Sequence, residues 1–390
     1  MPSFYIYNQG TCTRLALFGE ELRQILLLNG WVQNIAGKAD YIFINSCSFI
    51  KLKENESLRT IRFFYNNKTH QQICVFGCLP ATNSASISKM DKNIILFKRN
   101  FDEIARHFHL TKINADKHFT LNRPLSGYAK LIYWMNQLLF HSDAIKYRIK
   151  QDEVYHIQIS YGCRGSCSYC SEKNTTNYYS RSIKEIICDF KHGLEDGYKL
   201  FALNSDDTSV FGWDKKTDIK KLLCYLIKIK GNYKIAITEF NPRGLFIPQI
   251  TKFISDFKII YITIPIQSGS QSVLQRMRRP YKIRPVMKKI EMLKNINPKL
   301  LINTHVIVGF PGESESDFQQ TVKILKSGFF DRVKIFQYSD RPGTEAQAMN
   351  NKISSLVKKM RAHKLRTIVL IESLKRGNFA SFLMNIKSII

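Results

Sequence analysis

Tyr155-His-Ile-Gln-Ile159-Ser-Tyr-Gly-Cys163-Arg-Gly-Ser-Cys167-Ser-Tyr-Cys170 runs from an apolar strand pattern straight into a loop carrying three thiols. A loop at the carboxyl end of a first strand is where parallel α/β barrels build their active sites. Downstream, strand-like runs recur at Lys199–Leu203, Tyr233–Thr238, Ile259–Ile264, Leu301–Val308 and Arg332–Phe336, with helix-like runs such as Ile183–Leu194 and Phe318–Lys326 between them. Six strand-plus-helix units predict a partial (β/α)6 barrel, smaller than the closed eightfold form, over residues 151–344. Upstream, Phe4–Tyr7, Tyr41–Asn45 and Gln72–Phe76 read as buried strands separated by helical patterns at Leu15–Leu28 and Leu52–Tyr65. That alternation predicts an open, Rossmann-like α/β domain over residues 1–106. Residues 107–150 break the rhythm and read as a connector. Residues 345–390 read as a basic tail in which Ile353–Lys375 forms an amphipathic helix.

The chain has 390 residues, enough for two or three domains, and 44% hydrophobic residues, enough for a sizeable core. A formal net charge of +28 favours a polyanionic partner, nucleic acid before membrane, against the plainer alternative of a lysine-rich codon bias. No apolar run reaches the ~18 residues of a membrane span. The first residues lack the basic and apolar regions of a signal peptide, so a cytoplasmic protein is expected. In a reducing compartment, nine cysteines point to metal or redox chemistry rather than a disulfide framework.

Cys163, Cys167 and Cys170 stand at C-x3-C-x2-C. Three thiolates on one short loop can hold three irons of a four-iron cluster and leave the fourth open. A structural zinc site wants a fourth protein ligand; here Ser171 follows and Cys188 lies a helix away. Cys12, Cys47 and Cys78 each sit in a loop of a separate βα unit, where open α/β sheets gather their ligands. They can converge on a second cluster, or be three unrelated buried thiols. Cys74, Cys188 and Cys224 fit the second description, as small hydrophobes.

The C-x3-C-x2-C spacing, with Tyr169 directly before the third cysteine, resembles the radical S-adenosylmethionine (radical SAM) superfamily. The resemblance narrows to the methylthiotransferase family through an ordered set of phrases. They are Asn45-Ser-Cys47-Ser, Phe76-Gly-Cys78-Leu, Ile159-Ser-Tyr-Gly-Cys163, Ser180-Arg181, Pro265-Ile-Gln267-Ser-Gly-Ser270, Arg276-Met-Arg-Arg279-Pro-Tyr281, Val308-Gly-Phe-Pro-Gly-Glu313 and Phe336-Gln-Tyr-Ser-Asp-Arg341-Pro-Gly-Thr344. It implies two [4Fe-4S] clusters and two uses of S-adenosyl-L-methionine. The counterparts of Cys163, Cys167 and Cys170 hold the cluster that cleaves it to a 5′-deoxyadenosyl radical, with Tyr169 near the adenine. The counterparts of Cys12, Cys47 and Cys78 hold an auxiliary cluster where a sulfur is methylated. It also implies an electron donor such as a flavodoxin or ferredoxin. The chemistry is coherent, because a C–H bond without an acidic proton is closed to general acid–base catalysis.

Asp206 and Asp207 follow the second barrel strand and can pair with the ammonium of S-adenosylmethionine, or form a turn. Gln267 ends the fourth strand and points to the same mouth, or organises its loop. Glu239 and Arg243 flank the third strand as a cofactor contact or an ion pair. Gly309-Phe-Pro-Gly312-Glu313 reads as a turn before a helix capped by Ser314 or Ser316. Arg276, Arg278 and Arg279 can grip phosphates, or sit in a solvated turn. Family members acting on tRNA usually carry a C-terminal RNA-binding TRAM module; no such pattern follows Thr344, so the module reads as absent or as replaced by the tail, +7 over its 46 residues. The favoured substrate is a modified adenosine beside the tRNA anticodon, the phrase Ser205-Asp-Asp207-Thr-Ser-Val-Phe-Gly212 resembling the threonylcarbamoyl-adenosine branch. The alternatives are a protein or peptide side chain, and a catalytically inactive iron–sulfur RNA-binding protein.

Overall fold

The computed structural model describes residues 1–8, 10–112, 154–375 and 385. The N-terminal strands are β1 (Ser3–Tyr7), β2 (Val32–Gln33), β3 (Tyr41–Ser46), β4 (Gln72–Gly77) and β5 (Ile95–Phe97). The helices among them are α1 (Thr13–Leu28), α2 (Lys51–Asn66), α3 (Cys78–Ser88) and α4 (Phe101–Phe108). The strands pair in the order β2-β1-β3-β4-β5, all parallel. Alternation along β3 and β4 divides the core between the sheet's two faces. Phe43, Cys74 and Phe76 join Phe18 and Trp31 on one face, while Ile42, Ile44, Ile73 and Val75 join Ile61 and Leu79 on the other. Cys74 is thus a core residue, as the sequence suggests.

The second sheet holds β6 (Val154–Gln158), β9 (Leu200–Asn204), β10 (Lys234–Ile237), β11 (Ile259–Thr263), β12 (Leu301–Val308) and β13 (Arg332–Gln337). A small antiparallel pair, β7 (Ser160–Tyr161) with β8 (Tyr179–Ser180), brackets the cysteine loop. The helices are α5 (Ile183–Glu195), α6 (Ile219–Lys228), α7 (Ile250–Ile254), α8 (Gln271–Arg276), α9 (Ile283–Ile296), α10 (Glu315–Leu325), α11 (Glu345–Ala348) and α12 (Ser355–Lys375). The order β13-β12-β11-β10-β9-β6, parallel throughout, is the expected partial barrel. Ser182 and Ser314 close capping boxes with Glu185 and Asp317, so α5 and α10 begin where the sequence places them. Among the described residues no helix is long and apolar enough to cross a membrane. The connector expected at 107–150 lies outside the described residues except for 107–112, where His107 and Phe108 complete α4.

Three expectations are corrected here. Cys78 is not in a loop; it is the first residue of α3. Cys188 is exposed and Cys224 only half-buried, so neither is a small core hydrophobe. The basic tail is not a free cationic face. Helix α12 packs on the barrel through Arg361, Ala362, Leu365, Val369 and Ser373. The Arg361 guanidinium is buried on Glu313 (2.8 Å) and Glu315 (3.3 Å), and Lys358 Nζ donates to the Tyr338 carbonyl (3.1 Å). The burial that docks the helix engages the cations the sequence assigns to RNA. Lys359 and Lys364 stay exposed, and Arg366 is half-buried.

Candidate active site

Two glycines set up the two cysteine regions. Gly77, at φ +110°, ends β4 immediately before Cys78, and a Cβ there would sit 2.5 Å from the Ser46 carbonyl oxygen. Gly162, at φ +73°, stands before Cys163, where a Cβ would meet the backbone of Asn177 and Tyr178 at 2.8 Å. Only glycine meets both demands, a left-handed backbone and no side chain.

In the barrel loop, the Gly165 N–H donates to Cys163 Sγ (3.2 Å), and Arg279 Nη1 lies 3.4 Å from Cys167 Sγ. Arg279 is buried and fixed by the Pro265 carbonyl (2.8 Å) and the Tyr281 hydroxyl (3.3 Å). Arg276 instead bonds the Gly312 carbonyl and Asp317, and Arg278 pairs with Glu345. Each of the three arginines therefore has a partner within the protein. Burial pushes the Cys163 and Cys170 thiols up to about 12. All nine cysteines are free thiols, so metal loading here must release protons.

The loop opens into a cleft of about 1080 Å³, counting its open mouth, also lined by Tyr169, Asp207, Gln267 and His305. Asp207 accepts from Ser209 N (3.0 Å) and Oγ (2.6 Å) through Oδ1. Its Oδ2 is buried without a hydrogen-bond partner, Arg243 Nη2 standing 3.5 Å away. Gln267 Oε1 is likewise buried and unpartnered, on a residue at φ +62°. These two orphaned acceptors suit a ligand with N–H donors, such as an ammonium; Glu172 Oε1 and His305 Nε2 in the same lining are also buried without a partner. Glu239 and Arg243 do not pair with each other; Glu239 lies 3.8 Å from His305 Nδ1. Burial lowers His305 to about 4 despite Glu239.

Asp206 has other partners. Its Oδ1 accepts from Arg14 Nη1 (2.9 Å) and its Oδ2 from Arg99 Nη2 (2.5 Å) and Gly162 N (2.8 Å). Burial would raise its pKa, but Arg99 and Arg14 override it and hold the carboxyl at about 2. Both arginines come from the N-terminal sheet, so Asp206 ties the two sheets together where an ammonium contact was expected. Glu54 with Arg341, and Glu21 with the Tyr161 hydroxyl (2.5 Å), span the same junction.

Across that junction, Cys12 caps α1 at the surface, while Cys47 and Cys78 pack together around Leu15. Burial pushes Cys47 up to about 12 and also raises Cys78 well above the ordinary thiol value. The Cys78 thiol donates to Glu172 Oε2 at 3.0 Å, and Glu172 lies two residues after Cys170. One carboxylate therefore stands between the two cysteine sets. Among the described residues no three His, Cys, Asp or Glu side chains gather as a single ion requires. A four-iron cluster takes one thiolate per iron, so its cysteines stand apart around it. Two sets of three free, soft thiols fit such clusters, and the orphaned acceptors fit S-adenosylmethionine.

Residues 157–325 match the Radical SAM superfamily and residues 12–97 match the Uncharacterized protein family UPF0004, together about two-thirds of the chain. Over 342 residues the chain is 27% identical to the threonylcarbamoyladenosine tRNA methylthiotransferase MtaB of Thermotoga maritima, covering 86% of this chain and 75% of that one. In both regions it resembles the radical SAM methylthiotransferase family. The family's cofactors are two [4Fe-4S] clusters and S-adenosylmethionine, and its members are enzymes. A second relative, the ribosomal protein uS12 methylthiotransferase RimO of Pseudothermotoga lettingae, is 29% identical over 348 residues, covering 87% and 77% of the two chains. In fold, the chain is similar to the radical SAM methyltransferase TsrM of Kitasatospora setae, with a TM-score of 0.62 at 12% identity over 89% of this chain and 77% of that one.

Sequence reasoning missed the roles of Arg14, Arg99, Arg279 and Glu172. Arg279 and Glu172 carried a signal, the first in a family-like phrase and the second in its nearness to Cys170. Arg14 and Arg99 carried none, because their partner lies more than 100 positions away.

Proposed function

We propose that the chain is a cytoplasmic transferase that inserts a methylthio group at carbon 2 of threonylcarbamoyl-adenosine beside the tRNA anticodon. It would draw its electrons from a donor such as a flavodoxin or ferredoxin. Cys163, Cys167 and Cys170 hold one [4Fe-4S] cluster, and Cys12, Cys47 and Cys78 the auxiliary one, within an N-terminal domain 1–106 and a radical SAM core 151–344. The observation that carries this reading is that Glu172, which lines the cleft with the three barrel cysteines, also takes the thiol of Cys78 from the N-terminal domain. A methylthio group made at one set needs the carbon activated at the other close by.

With S-adenosylmethionine, the barrel cluster supplies a primary carbon radical able to take hydrogen from an unactivated carbon. The chain's own residues prepare that chemistry. Asp207 Oδ2 and Gln267 Oε1 would accept from the amino group of S-adenosylmethionine, and Tyr169, T-shaped to Phe310 at 6.4 Å, would pack against its adenine. Arg279 holds a positive charge 3.4 Å from Cys167 Sγ, a donor beside the loop that would carry the cluster. His305, kept neutral by burial, leaves the mouth free of an added cation. Phe49 and Phe336, edge to face at 5.4 Å, form an apolar wall that limits water at the cleft.

The net charge of +28 supports an RNA substrate, and so does the likeness to the MtaB relative. The likeness to RimO supports a second reading, with the same chemistry on a protein side chain. Mass spectrometry of tRNA nucleosides with and without the gene separates them. Loss of the methylthio form of threonylcarbamoyl-adenosine is expected. An unchanged nucleoside profile overturns the RNA reading and moves the search to ribosomal proteins.

A further inference from the structure

Glu172 opens a short turn, Glu172–Asn174, that leads away from the barrel's cysteine loop and packs on α3 of the other domain. The Arg99 N–H donates to the Thr175 carbonyl (3.1 Å) and Thr175 Oγ1 to the Glu172 carbonyl (2.7 Å), so the turn is stitched to the N-terminal sheet. One carboxylate oxygen, Oε2, receives the Cys78 thiol. The other, Oε1, is buried and has no hydrogen-bond partner. The carboxylate also lies near enough to Cys47, Cys170 and Arg14 to act on the charge of each.

A buried carboxylate oxygen without a partner is costly, and an ion is one of the things that satisfies it. An auxiliary cluster held by three cysteines leaves one iron without a protein ligand, and iron accepts carboxylate oxygen as well as thiolate. We infer that Glu172 is the fourth protein ligand of the auxiliary cluster, a carboxylate that occupies the open iron until sulfur arrives. This rests on the cysteine assignment of the proposed function. The exchange is a simple ligand substitution. Glu172 would hold the open iron through its carboxylate and would leave it as an anion when sulfide or thiolate takes that place, with no electron transferred. Sulfur wins because it is the softer ligand. The barrel loop thereby reports on the auxiliary site, since the displaced carboxylate sits on the segment that carries Cys170.

The test uses full-length protein with Cys163, Cys167 and Cys170 changed to Ala, so that only the auxiliary cluster is reconstituted. Glu172, Glu172→Gln and Glu172→Asp versions are compared for iron content, for the three-iron paramagnetic signal after mild oxidation, and for the spectral change on titration with sodium sulfide. With Glu172, the cluster should keep its fourth iron and need more sulfide. In Glu172→Gln, which keeps the shape and loses the charge, the fourth iron should be lost about 10- to 100-fold faster, the range for removing a group that supports a metal. Sulfide should bind at correspondingly lower concentration, and Glu172→Asp should restore part of the retention. Equal loss rates and equal sulfide titrations in Glu172 and Glu172→Gln would overturn the inference while leaving the cysteine assignment intact. Protein that takes up no iron in the Cys163, Cys167, Cys170 triple variant would overturn the cysteine assignment itself.

Discussion

The carboxylate of Asp206 is 4% exposed and clamped by Arg99, 3% exposed, and Arg14, 18% exposed. Asp206→Asn keeps the shape and removes the charge between the two sheets. Holding the carboxyl at about 2 against an ordinary 3.8 corresponds to ~2.4 kcal/mol in favour of the charged form. Arg14 has some access to water, but Arg99 would be left buried and uncompensated, which raises the expected cost toward the ~3–5 kcal/mol of a broken buried pair. The loss should fall between about 2.5 and 4 kcal/mol in guanidinium unfolding at pH 7. A cycle with Arg99→Met isolates the pair: the double variant should be at least ~2 kcal/mol more stable than the sum of the single losses predicts. The pH dependence has a fixed sign. A depressed folded-state pKa contributes stability above 3.8 that is lost as pH falls from 3.8 toward 2, so that acid limb should flatten in Asp206→Asn. A single-variant loss under ~0.5 kcal/mol, or strict additivity in the cycle, would refute the clamp.

Other outcomes follow from the same geometry. Changing Cys163, Cys167 and Cys170 to Ala should leave about half of the roughly eight irons of the reconstituted protein and abolish S-adenosylmethionine cleavage. The same change at Cys12, Cys47 and Cys78 should keep cleavage and stop methylthio transfer; both are read by iron analysis and product chromatography. His305, depressed to about 4, resists protonation in the fold, so the wild type should lose ~2 kcal/mol between pH 7.5 and pH 5 that His305→Gln does not lose. Thermal melts at the two pH values check this. Changing Lys359 and Lys364 to Ala should lower the log–log salt slope of tRNA binding by at most ~0.9 for each phosphate that these lysines neutralise. Arg361→Met should instead destabilise the fold by about 3 kcal/mol, because Glu313 is left buried without its partner.

The long periodic elements were legible in the sequence, and the short or interrupted ones were not. All six barrel strands and both larger N-terminal helices announce themselves by runs of apolar residues at the right period. Strand β2 has two residues and β5 has three, too few to show alternation. Helix α3 contains Pro80 and a break at Asn83, where φ is −155°, so it carries no helical period. The site divides the same way. Cys163, Cys167 and Cys170 are local and their spacing speaks for itself, whereas the fate of Asp206 depends on Arg14 and Arg99, which sequence proximity cannot reveal. The tail failed for a related reason. Positive charge along a helix does not say which cations face water, and Arg361 lies on the buried side because Glu313 is waiting there.

The contacts between the sheets explain how the Cys78 thiol comes to meet a carboxylate two residues beyond Cys170. Arg14 lies two residues after Cys12, and Arg99 two residues beyond β5, and both converge on the turn after β9. Gly162 N–H, the neighbour of Cys163, joins the same carboxylate. A displacement that draws Cys78 away from Glu172 must therefore also pull Asp206 off at least one arginine. Buried ion pairs add little net stability over apolar packing, yet they are costly to break. That asymmetry suits a junction that holds the two sheets in one fixed relation. The same logic places Glu54 on Arg341, which follows β13 at the far edge of the barrel. With one clamp at β9 and another beyond β13, the N-terminal sheet is held at both sides of the cleft mouth, and rotation about either clamp alone is blocked by the other.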